Sequence, residues 1–313
     1  MLEAAIEAGK KAKWLSDKDK IKSRRKPDGS EVTNADRLAQ CMLRTSLRKA
    51  CPEAYFIGEE GTAGQANLNA LSSGTRLFIV DPIDGTRSYK LKKSTWSISI
   101  ADALIVQDAD GRKRLNQLAA AVYAPCKNTL YYAVKGLAFV LNPVAGRINL
   151  KDQPGRRLNV ATANATDKVP VVTLYRKGIN QDQRFPDTKT KLEAIGNLLG
   201  RSSKYRMDAL DKGSPALSLA MAAERGNNIV ITREDDPFQP VTNGMIAPWD
   251  TIAGRYIYEQ AGGKAPVSAD RHGNICLGQG NLSVSIMAPT QEQADEMDKL
   301  LTNTILPDVV REH

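Results

Sequence analysis

DPIDGT occupies Asp81 to Thr86 and follows directly on the apolar run Leu77-Phe78-Ile79-Val80. The run reads as a buried strand, so the motif stands where that strand ends. Side chains of an extended chain alternate between faces, so carboxylates three residues apart diverge. Pro82 fixes one φ, and a turn after it can bring Asp81 and Asp84 back together. Two carboxylates held close repel, and one pKa rises. A divalent cation removes that penalty. Hard oxygen ligands suit Mg²⁺, which keeps waters and binds phosphate. Gly85 lets backbone approach a ligand closely, and the N–H groups of Gly85 and Thr86 can open an anion site. A turn with Asx capping accounts for the same residues, and the motif alone leaves both readings open.

Outward from the motif, residues 2–14 read as a helix with Leu2, Ala5, Ile6, Gly9 and Trp14 roughly on one face. The Lys-rich segment to Lys26 reads as an exposed extension of it. Pro27-Asp28-Gly29-Ser30 is a turn, after which Thr33 or Asn34 caps a helix over residues 35–50, with Asp36 in its first turn. Strands are expected at 55–57, 77–80, 96–100, 118–123, 129–134 and 138–141, with a charged hairpin tip at 107–114. Helices preceding an antiparallel sheet give α+β layering in this half. Beyond it come a strand at 169–174, a helix at 189–199, a helix at 214–225, a strand at 228–232 and a helix at 248–261, an α/β alternation. Gly146, Pro154 and Gly155 put the boundary near 145–155. This divides the chain into an N-terminal α+β subdomain, 1–150, and a C-terminal α/β subdomain, 151–313.

Composition narrows the chemistry. The 313 residues are 42% hydrophobic and 25% charged, as in an ordinary soluble protein. No run approaches the length of a membrane helix, and the first residues lack the apolar core of a secretory signal, so a cytoplasmic location is expected. Cys41, Cys51, Cys126 and Cys276 form no C-x-x-C pair, and His272 and His313 have no zinc spacing to them. An enzyme so poor in histidine works with carboxylates and hydroxyls. The net charge of +9 fits solubility or an anionic small substrate. Nucleic-acid binding is not expected, because the densest basic run, residues 20–26, has no interleaved aromatics and no recognisable module around it.

Other acidic residues share the turn and helix-start positions of the opening motif. Glu59-Glu60 follows a strand in a Gly-flanked turn, Asp250 follows Pro248-Trp249 at a helix start, and Asp36 opens another helix. Each alone suits a helix dipole or a turn. Together they resemble the inositol monophosphatase superfamily of Mg²⁺-dependent, lithium-sensitive phosphatases. The resemblance rests on Gly58-Glu59-Glu60, on DPIDGT, on Pro248-Trp-Asp-Thr-Ile-Ala-Gly254 with Glu259-Gln-Ala-Gly-Gly263, and on Asp28 to Asp36, in matching order.

The resemblance implies a layered αβαβα sandwich with metals between two subdomains, and a phosphoric monoester hydrolase acting on a small phosphorylated metabolite. It implies two or three Mg²⁺ ions. Glu59, Asp81 and the Ile83 carbonyl would hold the first, Asp81, Asp84 and Asp250 the second, and Glu60 would help place a third. Asp36 and Thr86 would orient and deprotonate the attacking water, while the Gly85 and Thr86 N–H groups bind phosphate. Gly213, Ser214 and Asn243 would face the substrate. Homodimers occur in the family.

Substrate signals diverge. Asn243 stands where inositol-phosphate enzymes of the family place a glutamate, and an amide still bonds a hydroxyl. Leu217 replaces the lysine frequent in 3′-phosphoadenosine 5′-phosphate nucleotidases, and Thr86-Arg87-Ser88 resembles a histidinol-phosphate phosphatase-like branch. The insert Arg233 to Pro240 reads either as active-site rim or as a tolerated surface loop, and residues 175–185 are equally open. The rival from another class is a non-catalytic phosphate-ligand or RNA-binding protein on this fold.

Overall fold

The computed structural model describes residues 1–26, 31–60, 68–144, 148–163, 169–175, 196–197, 199–201, 203–210, 213–232, 248–267, 269, 274–277 and 282–305. Helix α1, Leu2–Asp17, buries small residues (Ala4, Ala5, Ala8, Gly9 and Ala12) beside Ile6 and Leu15. A Cβ on Gly9 would stand 2.6 Å from the Tyr123 ring, so the bare Cα lets the helix lie against the strand carrying that tyrosine. Trp14 does not share this face. It is 41% exposed, with the Lys11 and Lys20 ammoniums 4.3 and 4.9 Å from its ring centroid.

The helix also stops short of Lys26. Asn34 pins the following segment, accepting from the Lys22 N–H at 2.8 Å and donating to the Lys20 carbonyl at 3.0 Å. Ser23–Arg25 then forms β1, antiparallel to β2, Glu31–Thr33. Thr33 is the N-cap of α2, Asn34–Ala50, with Asp36 completing a capping box. The turn at 27–30 lies outside the described residues.

Next come β3 (Tyr55–Gly58), β4 (Arg76–Asp84), the short helix α3 (Thr86–Lys90), β5 (Ser97–Gln107), β6 (Lys113–Ala124), β7 (Thr129–Val134), β8 (Leu137–Leu141) and β9 (Arg156–Arg157). These strands make a seven-stranded sheet in chain order, with β3 and β4 parallel and the rest antiparallel. The charged stretch expected at a hairpin tip joins β5 to β6, whose last pair is Gln107 with Lys113.

The remainder holds β10 (Val171–Tyr175), β11 (Arg206–Leu210), α4 (Pro215–Arg225), β12 (Asn228–Thr232), α5 (Pro248–Gln260), β13 (Asn274–Leu277), β14 (Leu282–Met287) and α6 (Gln291–Ile305). Its five-stranded sheet runs β11-β10-β12-β14-β13, with β10 parallel to both neighbours and β14 antiparallel to both of its own. The elements after Gly263 are additions to the sequence reading. The helix expected at 189–199 lies largely outside the described residues.

Strand alternation sorts the core into layers. Phe78 and Val80 pack with α1 and α2, while Leu77 and Ile79 pack with α4 and α5. Val230 and Met287 close the far side of α4 and α5, and Ile229, Ile231, Val284 and Ile286 meet α6. The order is therefore αβαβα, as the resemblance implies. No helix among the described residues is long and apolar enough to cross a membrane.

Candidate metal centre

A β-bulge solves the problem posed by DPIDGT. Asp81 pairs with Ser99 and Asp84 with Ser97, so three steps along β4 match two along β5. Directly paired residues share a face, and Ser97 and Ser99 share one because they are two apart. The extra residue therefore turns Asp81 and Asp84 to the same side. The Asx turn is present as well, since the Asp81 carboxylate accepts from the Ile83 N–H at 3.0 Å. The two readings of the motif coexist.

That face meets α4 and α5. Ser99 donates to the Trp249 carbonyl at 3.1 Å, which fixes the first turn of α5 and with it Asp250. Carboxylate oxygens of Glu59, Asp81 and Asp250 then lie within 4.8 Å of one another. Asp81 and Asp250 are each 1% exposed, and Glu59 is half-buried. Three acidic side chains gathered in a buried or half-buried place favour a cation among them, and an all-oxygen donor set fits a hard divalent ion.

Three further expected ligands adjoin this cluster. Asp84 accepts from the Ser214 hydroxyl and, at 3.0 Å, from the Ala216 N–H. The Ile83 carbonyl accepts from the Thr86 hydroxyl at 3.1 Å. Glu60 pairs with Lys26 at 2.7 Å, and the same ammonium lies 3.0 Å from Glu59. Burial raises the Glu60 carboxyl pKa, as does the charge of Glu59, with Lys26 opposing. Burial works against the Lys26 ammonium, but Glu59 and Glu60 outweigh it and hold its pKa above the usual range.

Asp36, fully buried at the start of α2, completes the site. One of its oxygens accepts from the Thr86 hydroxyl at 3.1 Å, and the other from the Thr33 N–H at 2.8 Å and from the Thr33 hydroxyl. Burial pushes its pKa up to about 7, and the charges of Glu59 and Glu60 add to this against the Thr33 hydrogen bonds.

Gly85, with φ +86°, presents its bare Cα to protein backbone. A Cβ there would stand 3.0 Å from the Thr95 carbonyl oxygen and 3.1 Å from the Ser214 nitrogen. Ser214 is 2% exposed; it caps α4, donates to Asp84 and shares a 2.7 Å hydrogen bond with Ser97. Gly213, at φ +138°, packs on Thr95. Asn243 lies outside the described residues, as does the insert 233–240.

The sequence reading assigned no role here to Lys26, Gln40, Ser97 or Ser99. Gln40 holds both backbone groups of Glu60, accepting from its N–H at 2.8 Å and donating to its carbonyl. One signal was readable: Gln40 follows Asp36 by four residues, hence on one face of α2.

Residues 1–303 match the inositol monophosphatase family. Nus factor SuhB of Escherichia coli K12 is 26% identical over 306 residues, covering 95% of this chain and 97% of that protein. A fructose-1,6-bisphosphatase/inositol-1-monophosphatase of Thermotoga maritima is 26% identical over 232 residues, 74% of this chain and 69% of its own. Among solved structures, the extragenic suppressor protein suhB of Bartonella henselae shares the fold at a TM-score of 0.63, with 22% identity over 97% of this chain and 96% of that one. CysQ from Bacteroides thetaiotaomicron does so at 0.58, with 21% identity over 91% and 93%. The chain belongs to the inositol monophosphatase family, a family of phosphatases that are generally Mg²⁺-dependent.

Proposed function

We propose that this chain hydrolyses the phosphate monoester of a small metabolite in a Mg²⁺-dependent reaction. The observation that carries the reading is the convergence of Glu59, Asp81 and Asp250 beside the Asp36–Thr86 hydrogen bond. Glu59, Asp81 and Asp250 would hold a divalent cation, with Asp84, the Ile83 carbonyl and Glu60 available to further ions. When bound, such cations neutralise the carboxylates and stabilise negative charge on phosphoryl oxygens. The Gly85 and Thr86 N–H groups bind the phosphate. The Thr86 hydroxyl orients the attacking water, takes its proton and passes its own to Asp36. Burial of Asp36, which raises its pKa, favours its taking up that proton. Water attacks directly, so no covalent intermediate forms.

The test is phosphate release, with and without Mg²⁺, from inositol 1-phosphate, 3′-phosphoadenosine 5′-phosphate, histidinol phosphate and fructose 1,6-bisphosphate. Mg²⁺-dependent release from one ester, lost in Asp84→Asn, is the expected outcome. The relatives named Nus factors favour a second reading, a Nus-factor role without hydrolysis. Salt-dependent RNA retention by a folded protein that releases no phosphate would favour it.

A further inference from the structure

Away from the acidic cluster, an open surface cleft of about 530 Å³ is lined by Lys127, Asn142 and Arg225, which are exposed, and by Tyr131, Met221 and Glu224, which are buried or half-buried. It lies at the C-terminal end of α4, whose N-cap Ser214 serves Asp84. The helix has 11 residues, which puts its two ends about 16 Å apart. The metal centre and the cleft are therefore separate places.

The charges around the cleft are unevenly matched. Glu224 is the carboxylate of the lining, and both of its oxygens are engaged. One accepts from the Tyr131 hydroxyl at 2.6 Å and the other pairs with Arg156 at 2.5 Å. The Lys127 ammonium sits instead 3.3 Å from the Met221 sulfur, a weak acceptor. Arg225 has no carboxylate partner among the described residues. Partial burial lowers the Lys127 pKa and the positive charge of Arg225 lowers it further, with Glu224 opposing; both cationic side chains remain exposed to solvent. A helix C-terminus favours one cation, which accounts for Arg225 in the last turn of α4. It does not account for a second cation, Lys127, held at its side against the repulsion of Arg225.

The geometry points to a second ligand site, one that takes a small phosphorylated molecule with its phosphoryl oxygens between Lys127 and Arg225. A guanidinium fork and an ammonium are the side chains suited to those oxygens, and the Asn142 amide adds a donor at the wall. The volume suits a ligand up to about nucleotide size. This site is independent of the reading of the metal centre.

The test is isothermal titration of the full chain with inorganic pyrophosphate in EDTA, where the ion-free acidic cluster repels the probe. One saturable site per chain is expected. Lys127→Met and Arg225→Gln should each weaken it about tenfold or more, while Asp250→Asn leaves it unchanged. Circular dichroism checks the fold of each variant, and Lys127→Arg, which keeps the charge, should retain most of the affinity. No saturable binding by the unmodified chain would overturn the site. So would equal affinity in Lys127→Met, or a loss confined to Asp250→Asn.

Discussion

Gly254 lies against Ala216 so closely that a Cβ on the glycine would stand 2.3 Å from the Ala216 carbonyl oxygen and 2.7 Å from its Cα. This contact joins α5 to α4 one helical turn beyond Asp250. On the other side of it, the Ala216 N–H bonds Asp84 at 3.0 Å. Two carboxylates far apart in the chain are thus set relative to each other through a single missing methyl group. Backbone cannot step aside as a flexible side chain would. Gly254→Ala should therefore cost about 1–3 kcal/mol of stability and weaken divalent-ion binding as well. Thermal unfolding and a Mg²⁺ titration check both; an unchanged titration would show that the contact does not position Asp250.

Asp36 gives the ion-free protein a definite pH dependence. Its folded pKa of about 7 stands above the ordinary 3.8. Between those values the folded chain keeps a proton that the unfolded chain has released, so this group's effect on stability worsens as pH rises. The penalty is absent below about pH 4 and complete above about pH 7. Asp36→Asn, which keeps an acceptor for the Thr33 N–H, removes it. Each pH unit that separates the folded from the unfolded value corresponds to about 1.4 kcal/mol. Urea unfolding in EDTA should therefore find the variant more stable than the unmodified chain by a few kcal/mol near pH 8, with the gap closing toward acid. A gap that widens in acid would refute the assignment.

Gln40 holds the Glu59–Glu60 corner by its two bonds to the Glu60 backbone. Its truncation in Gln40→Ala leaves a buried N–H and a carbonyl without this partner, at roughly 2–4 kcal/mol together. Gln40→Glu can still accept from the N–H, but it sets a further buried carboxylate against the Glu60 carbonyl and the acidic corner, so it should cost at least as much as Gln40→Ala. Chemical denaturation of both variants, with Mg²⁺ titrations alongside, tests the order. Equal stability of Gln40→Ala and the unmodified chain would rule the role out.

Lys26 bridges Glu59 and Glu60 at 3.0 and 2.7 Å. A fixed positive charge there competes with a divalent cation for Glu59. Lys26→Met should lower the Mg²⁺ concentration needed for half-saturation, and should destabilise the protein in EDTA, where those carboxylates lose their counter-charge. Calorimetry in the two conditions separates the effects. Weaker Mg²⁺ binding in the variant would mean that Lys26 supports the ion rather than opposing it.

Local chemistry in the sequence determined much of this protein. Thr33 or Asn34 before an acidic first turn marks a helix start, Ser214-Pro215 enters another helix, and Leu77 to Val80 reads as a buried strand, all of which the structure bears out. Asp81, Asp84, Asp250 and Glu59 stood out because each acidic residue sits at a strand end or helix start. What the sequence by itself could not determine was which of them meet. Asp81 and Asp84 share a face because β5 pairs with β4 across a bulge, and that register is a long-range choice. Asp250 reaches Glu59 and Asp81 because Ser99 holds the Trp249 carbonyl, 150 positions away. The basic segment around Lys26 carries the composition of an exposed helix, yet Asn34 and pairing with β2 draw it out as a strand toward the acidic corner. Propensities and caps act over a turn or two of chain, so sequence records them directly. Register, close helix crossing and charge pairing depend on surfaces that meet only once the layers pack, and there the tertiary structure alone decides.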